Sequence, residues 1–518
     1  MRALCSSVLV SLGVAAAVLP AHANPGDTQI IWGSYNDYLA TTGGTTANLS
    51  ADGRYAVFHS YVDILIPGQS PPGYFIWDSR TLYMDWISGG TGTPTVSDDG
   101  QTVAYRDDGE WSAGPGIFAG STLVSVGLGG AAANGVCGEG PQVSGNARFV
   151  AFACSATNLV RGDTNGVADI FVRDRQAATT QRVNLGPGGA QANAASFLNS
   201  ISPDARYVVF TTTASNLVAG DTNGVADVFL RDRRTGVTER ISLRNGGGQA
   251  NGASRRGFVS GDGRYVVFTS EATNVVVGDT NGVADVFVRD RVARTTERLS
   301  VNPSGVQGNR ASDASGISAD GRYVALVSAA TNLISGDANP GADAFVLDRD
   351  TGRFELASVS TDGVQGKGNT TYASLSRNGH VIVLSTTAPL DVMDVAGGGP
   401  DLYVHQLAGA PKDPYTLMPG GIDFGRRALG SLTTRSFTLR NRGASALAIQ
   451  QIFIKGVVYY EAFPMRTNCG NSLAAGASCR ISITFQPRVA SRQGVILVVG
   501  LDGGARVSRS VTGTGVNP

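Results

Sequence analysis

Short apolar bursts, each preceded by a polar turn, recur along most of the chain. Around Ser260 the pattern reads "SGDGRYVVF", then a polar stretch, then "GDTNGVADVFVRDR" (Gly278–Arg291). It predicts four short strands: Ser254–Ser260, Tyr265–Ser270, Asp285–Arg289 and Thr296–Val301. The second and third are apolar runs rather than alternations, as expected of strands covered on both sheet faces.

The turn that opens each unit fixes the period. "SADGRYAVF" begins at Ser50 and related segments begin at Ser97, Ser144, Ser202, Ser260, Ser318 and Ser376, in steps of 47, 47, 58, 58, 58 and 58 residues. Units of this length that each form one four-stranded element predict an all-β, seven-bladed β-propeller. The last unit has its third strand at Asp401–Leu407 and then runs into a Pro/Gly-rich stretch. "TQIIWGS" (Thr28–Ser34) is the candidate for the missing fourth strand, and pairing it there would cover two exposed sheet edges. The motifs S-x-D-G-R-Y-V-V-F and D-V-F-V-R-D-R resemble the TolB-like (WD40-like) propeller repeats of bacterial exported proteins. That resemblance implies the fold of residues 24–408 and leaves the activity open.

The pattern changes after the stretch 409–421, read as a linker. Residues 422–518 alternate in the manner of a β-sandwich of about 100 residues. Phe424-Gly425, "LRNRG" (Leu439–Gly443), "NCGNSLAAGASCRISITFQP" (Asn468–Pro487) and "VTGTG" (Val511–Gly515) resemble the Ig-like choice-of-anchor D module, related to ASPM–SPD-2–Hydin domains. The chain stops at Pro518 without an apolar tail, so no membrane anchor is expected.

Composition agrees with a turn-rich β protein: glycine supplies 69 of 518 residues, against a usual share of about 7%. Formal net charge is zero, which argues against nucleic acid as a partner. Arg2, the apolar run Val8–Leu19 and Ala21-His22-Ala23 form a secretory signal pattern over residues 1–23. With no later apolar run long enough to span a bilayer, the expectation is an exported monomer, periplasmic or extracellular. Four cysteines remain after processing. Proximity favours the disulfides Cys137–Cys154 and Cys469–Cys479, and the latter two also occupy the paired cysteine positions of the Ig-like resemblance.

Candidate chemistry concentrates in the "DTNGVAD" loops. Asp163, Asn165 and Asp169 recur as Asp221, Asn223 and Asp227, as Asp279, Asn281 and Asp285, and as Asp337, Asn339 and Asp343. Oxygen ligands at alternate positions of a Gly-containing loop suit Ca²⁺. The same residues also make Asx-turns and strand-start caps, which is the simpler reading of a duplicated loop. Topology places these loops on one face with the amide-rich links between units, so Gln249, Asn251, Gln307 and Asn309 become candidates for a ligand-binding face. The "RDR" segments suggest ion pairs within and between units. His59, His380 and His405 are expected in different blades without metal-ligand spacing, and no nucleophile motif appears. The expectation is therefore a non-enzymatic binding or scaffold protein with a protein or glycan partner. The alternatives are a calcium-stabilised structural propeller and a carbohydrate-active or other hydrolytic enzyme with its site in the channel.

Overall fold

The computed structural model describes residues 27–31, 46–60, 73–81, 83–109, 115–138, 140–391, 400–408, 414–455, 460–502 and 505–517. The signal pattern at 1–23 and residues 409–413 of the expected linker lie outside them. Among the described residues, seven four-stranded antiparallel sheets precede the C-terminal domain. Numbered by their opening turns, sheets 1 to 6 each use four consecutive strands; sheet 5, for example, comprises Ser254–Val259, Tyr265–Ser270, Asp285–Asp290 and Thr295–Arg298. The first strands of successive sheets neighbour one another in a cycle, and that of sheet 7 (Thr370–Leu375) returns to that of sheet 1 (Ala47–Leu49). A ring of radial sheets with the first strands innermost is a β-propeller.

The apolar runs explain the packing. In each sheet the second and third strands place large side chains on both faces. Val209, Val228 and Leu230 of sheet 4 bury against Val266, Phe268 and Phe287 of sheet 5. A phenylalanine pair recurs between these strands, as in Phe210–Phe229 and Phe268–Phe287, with ring centroids 5.9 and 5.7 Å apart. The SxDGR turns add a second contact layer. Arg206 pairs with Asp232 at 2.8 Å and lies over Tyr207, while Arg291 of the next sheet also lies over Tyr207. Arg291 in turn reaches Glu239 of sheet 4, so "RDR" ties neighbouring sheets together.

Sheet 7 closes the ring with the N-terminal strand Thr28–Ile30, which pairs antiparallel with Asp401–Gln406 in the register Thr28↔His405. Residues 32–34 of the expected strand lie outside the described residues. The Ig-like domain is a sandwich of a four-stranded and a five-stranded sheet around Phe424, Phe463 and Phe485. Its first strand, Tyr415–Met418, falls inside the stretch read as linker; Tyr415 and Leu417 are buried in the sandwich core, which is why the domain starts earlier than the alternating pattern suggested. Disulfides join Cys137 to Cys154 and Cys469 to Cys479.

Candidate ligand site in the propeller channel

The repeated loops are organised by an arginine. In sheet 4, Arg240 Nη1 lies 2.9 Å from Asp221 and 3.2 Å from Asp227, and donates to Gln249 Oε1 at 3.0 Å. Arg182 holds Asp163, Asp169 and Gln191 in sheet 3, and Arg298 holds Asp279, Asp285 and Gln307 in sheet 5. Each arginine ends the fourth strand opposite a buried phenylalanine of the third, a register that aims it at the loop beneath. Asn165, Asn223 and Asn281 turn their amide nitrogens toward the same carboxylates. Burial raises Asp163, Asp221 and Asp279 above the usual carboxylate range, against the pull of the neighbouring arginine. A guanidinium thus sits among the carboxylates of each cluster.

Sheet 6 differs. Leu356 stands at the arginine position, and Gln365 Nε2 donates to both Asp337 at 2.7 Å and Asp343 at 3.0 Å. Burial again raises Asp343, whose partners also include Ser358 and Asn339. Among the described residues, no group of three or more His, Cys, Asp or Glu side chains is placed to hold a metal ion.

The four amides expected to face a ligand are engaged within the scaffold. Gln249 and Gln307 accept from loop backbone N–H groups and donate to Thr222 and Thr280. Asn251 and Asn309 bridge to Thr273 and Thr331. Each bond crosses from a link between sheets to a loop more than 20 positions away in sequence, so linear spacing could not show it.

The channel offers a different surface. The seven first strands surround a cavity of about 340 Å³, within the range of small-molecule sites. Asn48, Thr95, Gln142, Ser200, Ser315 and Ser374 contribute polar groups to its wall, and Leu198, Phe258 and Tyr372 contribute apolar surface. At the SxDGR end the passage narrows. There the residue after each opening serine bonds to its neighbour, as in Asp98 N–H to Gly145, Gly145 to Pro203, Gly261 to Ala319 and Ala319 to Arg377. Arg377 then reaches Asp98 at 2.6 Å, joining sheets 7 and 2. The opposite end lies on the face of the DTNG loops, where Phe197, Arg255, Arg256, Asp313 and Thr371 sit at the starts of their strands. Sequence reading missed this mouth. Its signal was "SRRGF", two consecutive arginines in an innermost strand whose counterparts carry neutral or acidic residues.

His405 is buried, with Nδ1 2.7 Å from Thr28 Oγ1, and His59 packs edge-on to Tyr74. His380 and His405 share sheet 7, correcting the expectation of three separate blades; they occupy its second-strand turn and its third strand.

The family model described as HYDIN/CFA65/VesB-like, Ig-like domain matches residues 417–514. Comparison of the sequence with curated proteins gave no match. Among solved structures the chain is similar to an oligogalacturonate lyase in complex with manganese, at 13% identity over 74% of this chain and 91% of that one, with a TM-score of 0.43. It is similar to a putative TolB from Agrobacterium tumefaciens at 17% identity, covering 54% of this chain and 86% of that one, TM-score 0.34. A PapD-like domain of human CEP192 is similar at 18% identity, covering 22% of this chain and 95% of that one, TM-score 0.17. The class is therefore a β-propeller with a C-terminal Ig-like domain, defined by its own strand topology and by the family match over the sandwich.

Proposed function

We propose that this chain is an exported, non-enzymatic binding protein in which a seven-bladed propeller, carrying an Ig-like module of the choice-of-anchor D type, recognises a protein or glycan at its channel mouth. One observation supports this reading above the others: the innermost strands enclose a polar-walled cavity, and at its SxDGR end the opening turns bond to one another. A pocket lined by hydroxyl and amide groups with a few apolar patches suits recognition of one end of a polar ligand. The two disulfides suit an oxidising compartment such as the periplasm or the exterior.

Glycan-array and pull-down binding by the mature chain tests the reading. Ser374→Trp, which fills the cavity wall, should abolish capture while leaving the far-ultraviolet spectrum unchanged. Capture undiminished by that variant would move the site off the channel, and turnover of a captured glycan would convert the reading to that of an enzyme.

A further inference from the structure

The opening turns of sheets 4 to 7 are spaced by 58 residues, so Leu198, Arg256, Ala314 and Tyr372 occupy equivalent positions in the first strands, and Leu198 and Tyr372 of these line the cavity. Sheet 5 alone of these four places a cation there. All four first strands shift register against their second strands near this point, in sheet 5 from Arg255 to Phe258, and among the four equivalent residues Arg256 alone sits at a positive φ, 55°. A left-handed conformation is unfavourable at a residue with a Cβ. Bulges re-aim side chains and are over-represented next to active sites. Gly257 permits this one, because a Cβ there would collide with Val209 and Val228 of sheet 4.

The two arginines of the bulge are not equivalent. Arg255 is held by Glu271 at 2.6 Å and by Asp313 at 3.2 Å. Arg256 approaches that same Asp313 oxygen only at 3.9 Å, with 47% of its side chain exposed. Its charge acts on Tyr372, whose hydroxyl burial pushes up to about 12, so the phenol stays protonated and can donate. Deeper in the cavity the polar groups are neutral, and the charge of Arg377 at the narrow end is matched by Asp98. The cavity is neutral and hydrogen-bonding at depth, and beyond it Arg256 is the more loosely paired cation of a cluster with Arg255, Asp313 and Glu271.

We infer that the channel mouth binds a small polyhydroxylated anion, with its carboxylate or phosphate on Arg256 and its neutral hydroxylated end in the cavity. This rests on the channel being the binding site. Arg256 lies within reach of Tyr372 in the cavity lining, and an oxyanion supplies the close partner that Asp313, at 3.9 Å, does not.

The test measures binding of D-gluconate, D-glucitol 6-phosphate and neutral D-glucitol to the intact mature chain by calorimetry and ligand-observed NMR. At least one anion should bind about tenfold or more tightly than D-glucitol, and the preferred one identifies the oxyanion. Arg256→Gly should bring that anion down to the D-glucitol level with an equal or higher Tm, since glycine adopts this φ without strain. Equal binding of all three ligands by the unaltered chain would overturn the anion assignment while leaving the channel as the site. Failure of all three would overturn the inference; failure of the Ser374→Trp capture test as well would overturn the channel reading beneath it. An Arg256→Gly chain that melts lower yet keeps the anion preference would make Arg256 a scaffold residue.

Discussion

Arg509 of the Ig-like domain lies 2.9 Å from Asp27, the residue immediately before the strand that closes the propeller ring, and both side chains are buried. Arg509 Nε also donates to the Leu417 carbonyl within its own domain. Thr28, next to Asp27, donates to Val359 and accepts at its carbonyl from Thr361 of the link after sheet 6. Arg506 N–H bonds to Arg80 of sheet 1, and Gly420 N–H to Asp362. The Ig-like domain therefore contacts both sides of the ring's seam. Breaking a buried pair by removing one partner leaves an uncompensated charge. Arg509→Met should lower stability by about 3 kcal/mol. Amide exchange should quicken first in Thr28–Ile30. Uniform loss of protection across all seven sheets would argue against a local clasp.

Removing an arginine from a loop cluster should destabilise the propeller in a pH-dependent way. In Arg240→Met, Asp221 and Asp227 would face each other in a buried site without a cation, at a cost of about 3 kcal/mol near neutrality. Burial already holds the Asp221 pKa above that of the unfolded chain, and loss of Arg240 would raise it further. A carboxyl with a raised folded pKa destabilises where it must ionise, so the deficit should shrink as pH falls toward ~4. Urea titrations at several pH values would check this. Because a guanidinium fills each of these three clusters, EDTA should leave the wild-type melting curve unchanged. A drop in Tm restored by Ca²⁺ would reverse that conclusion.

These clusters also show where sequence reading runs out. Asp163, Asn165 and Asp169 were visible as a recurring oxygen set, and their placement on one face with the amide links followed from strand order. The cation that joins them was not, because Arg182 is 13 positions beyond Asp169 and reads as an ordinary residue at the end of a half-exposed strand. The clue was internal: "TQR" and "TER" accompany the three intact DTNGVAD loops, whereas "FEL" accompanies DANPGAD. The four-stranded repeat was legible because burial on both faces imposes apolar runs wherever it occurs. Partners of polar side chains leave no such periodic trace.

Sheet 6 permits the converse experiment. Leu356 is half-buried at the position of Arg240 and Arg298, above Asp337 and Asp343. Leu356→Arg should place a guanidinium between those carboxylates, with the Gln365 amide rotating to accept as Gln249 does. Burial raises Asp343 in the present chain, so its ionisation opposes folding near neutrality. The variant should therefore melt higher at pH 7, with the advantage fading as the carboxyls protonate in acid. A lower Tm at all pH values would mean that the lost packing of Leu356 outweighs the new ion pairs.

The turn arginines set the acid limit of the propeller. Arg148 donates to both oxygens of Asp174, and Arg206 pairs with Asp232 in the same geometry one sheet on. Hydrogen bonds from these guanidinium groups hold both aspartates down at about 2. A carboxyl depressed in the folded state contributes stability that is complete above its unfolded value, near 3.9, and disappears as pH falls through the folded one. Stability should thus decline between pH ~4 and ~2. Asp174→Asn with Asp232→Asn should flatten that decline and lower stability at pH 7. Equally steep acid unfolding in the double variant would assign the transition to other carboxylates, with the pairs of sheets 1, 5 and 6 (Asp78, Asp290 and Asp348) as the next to replace.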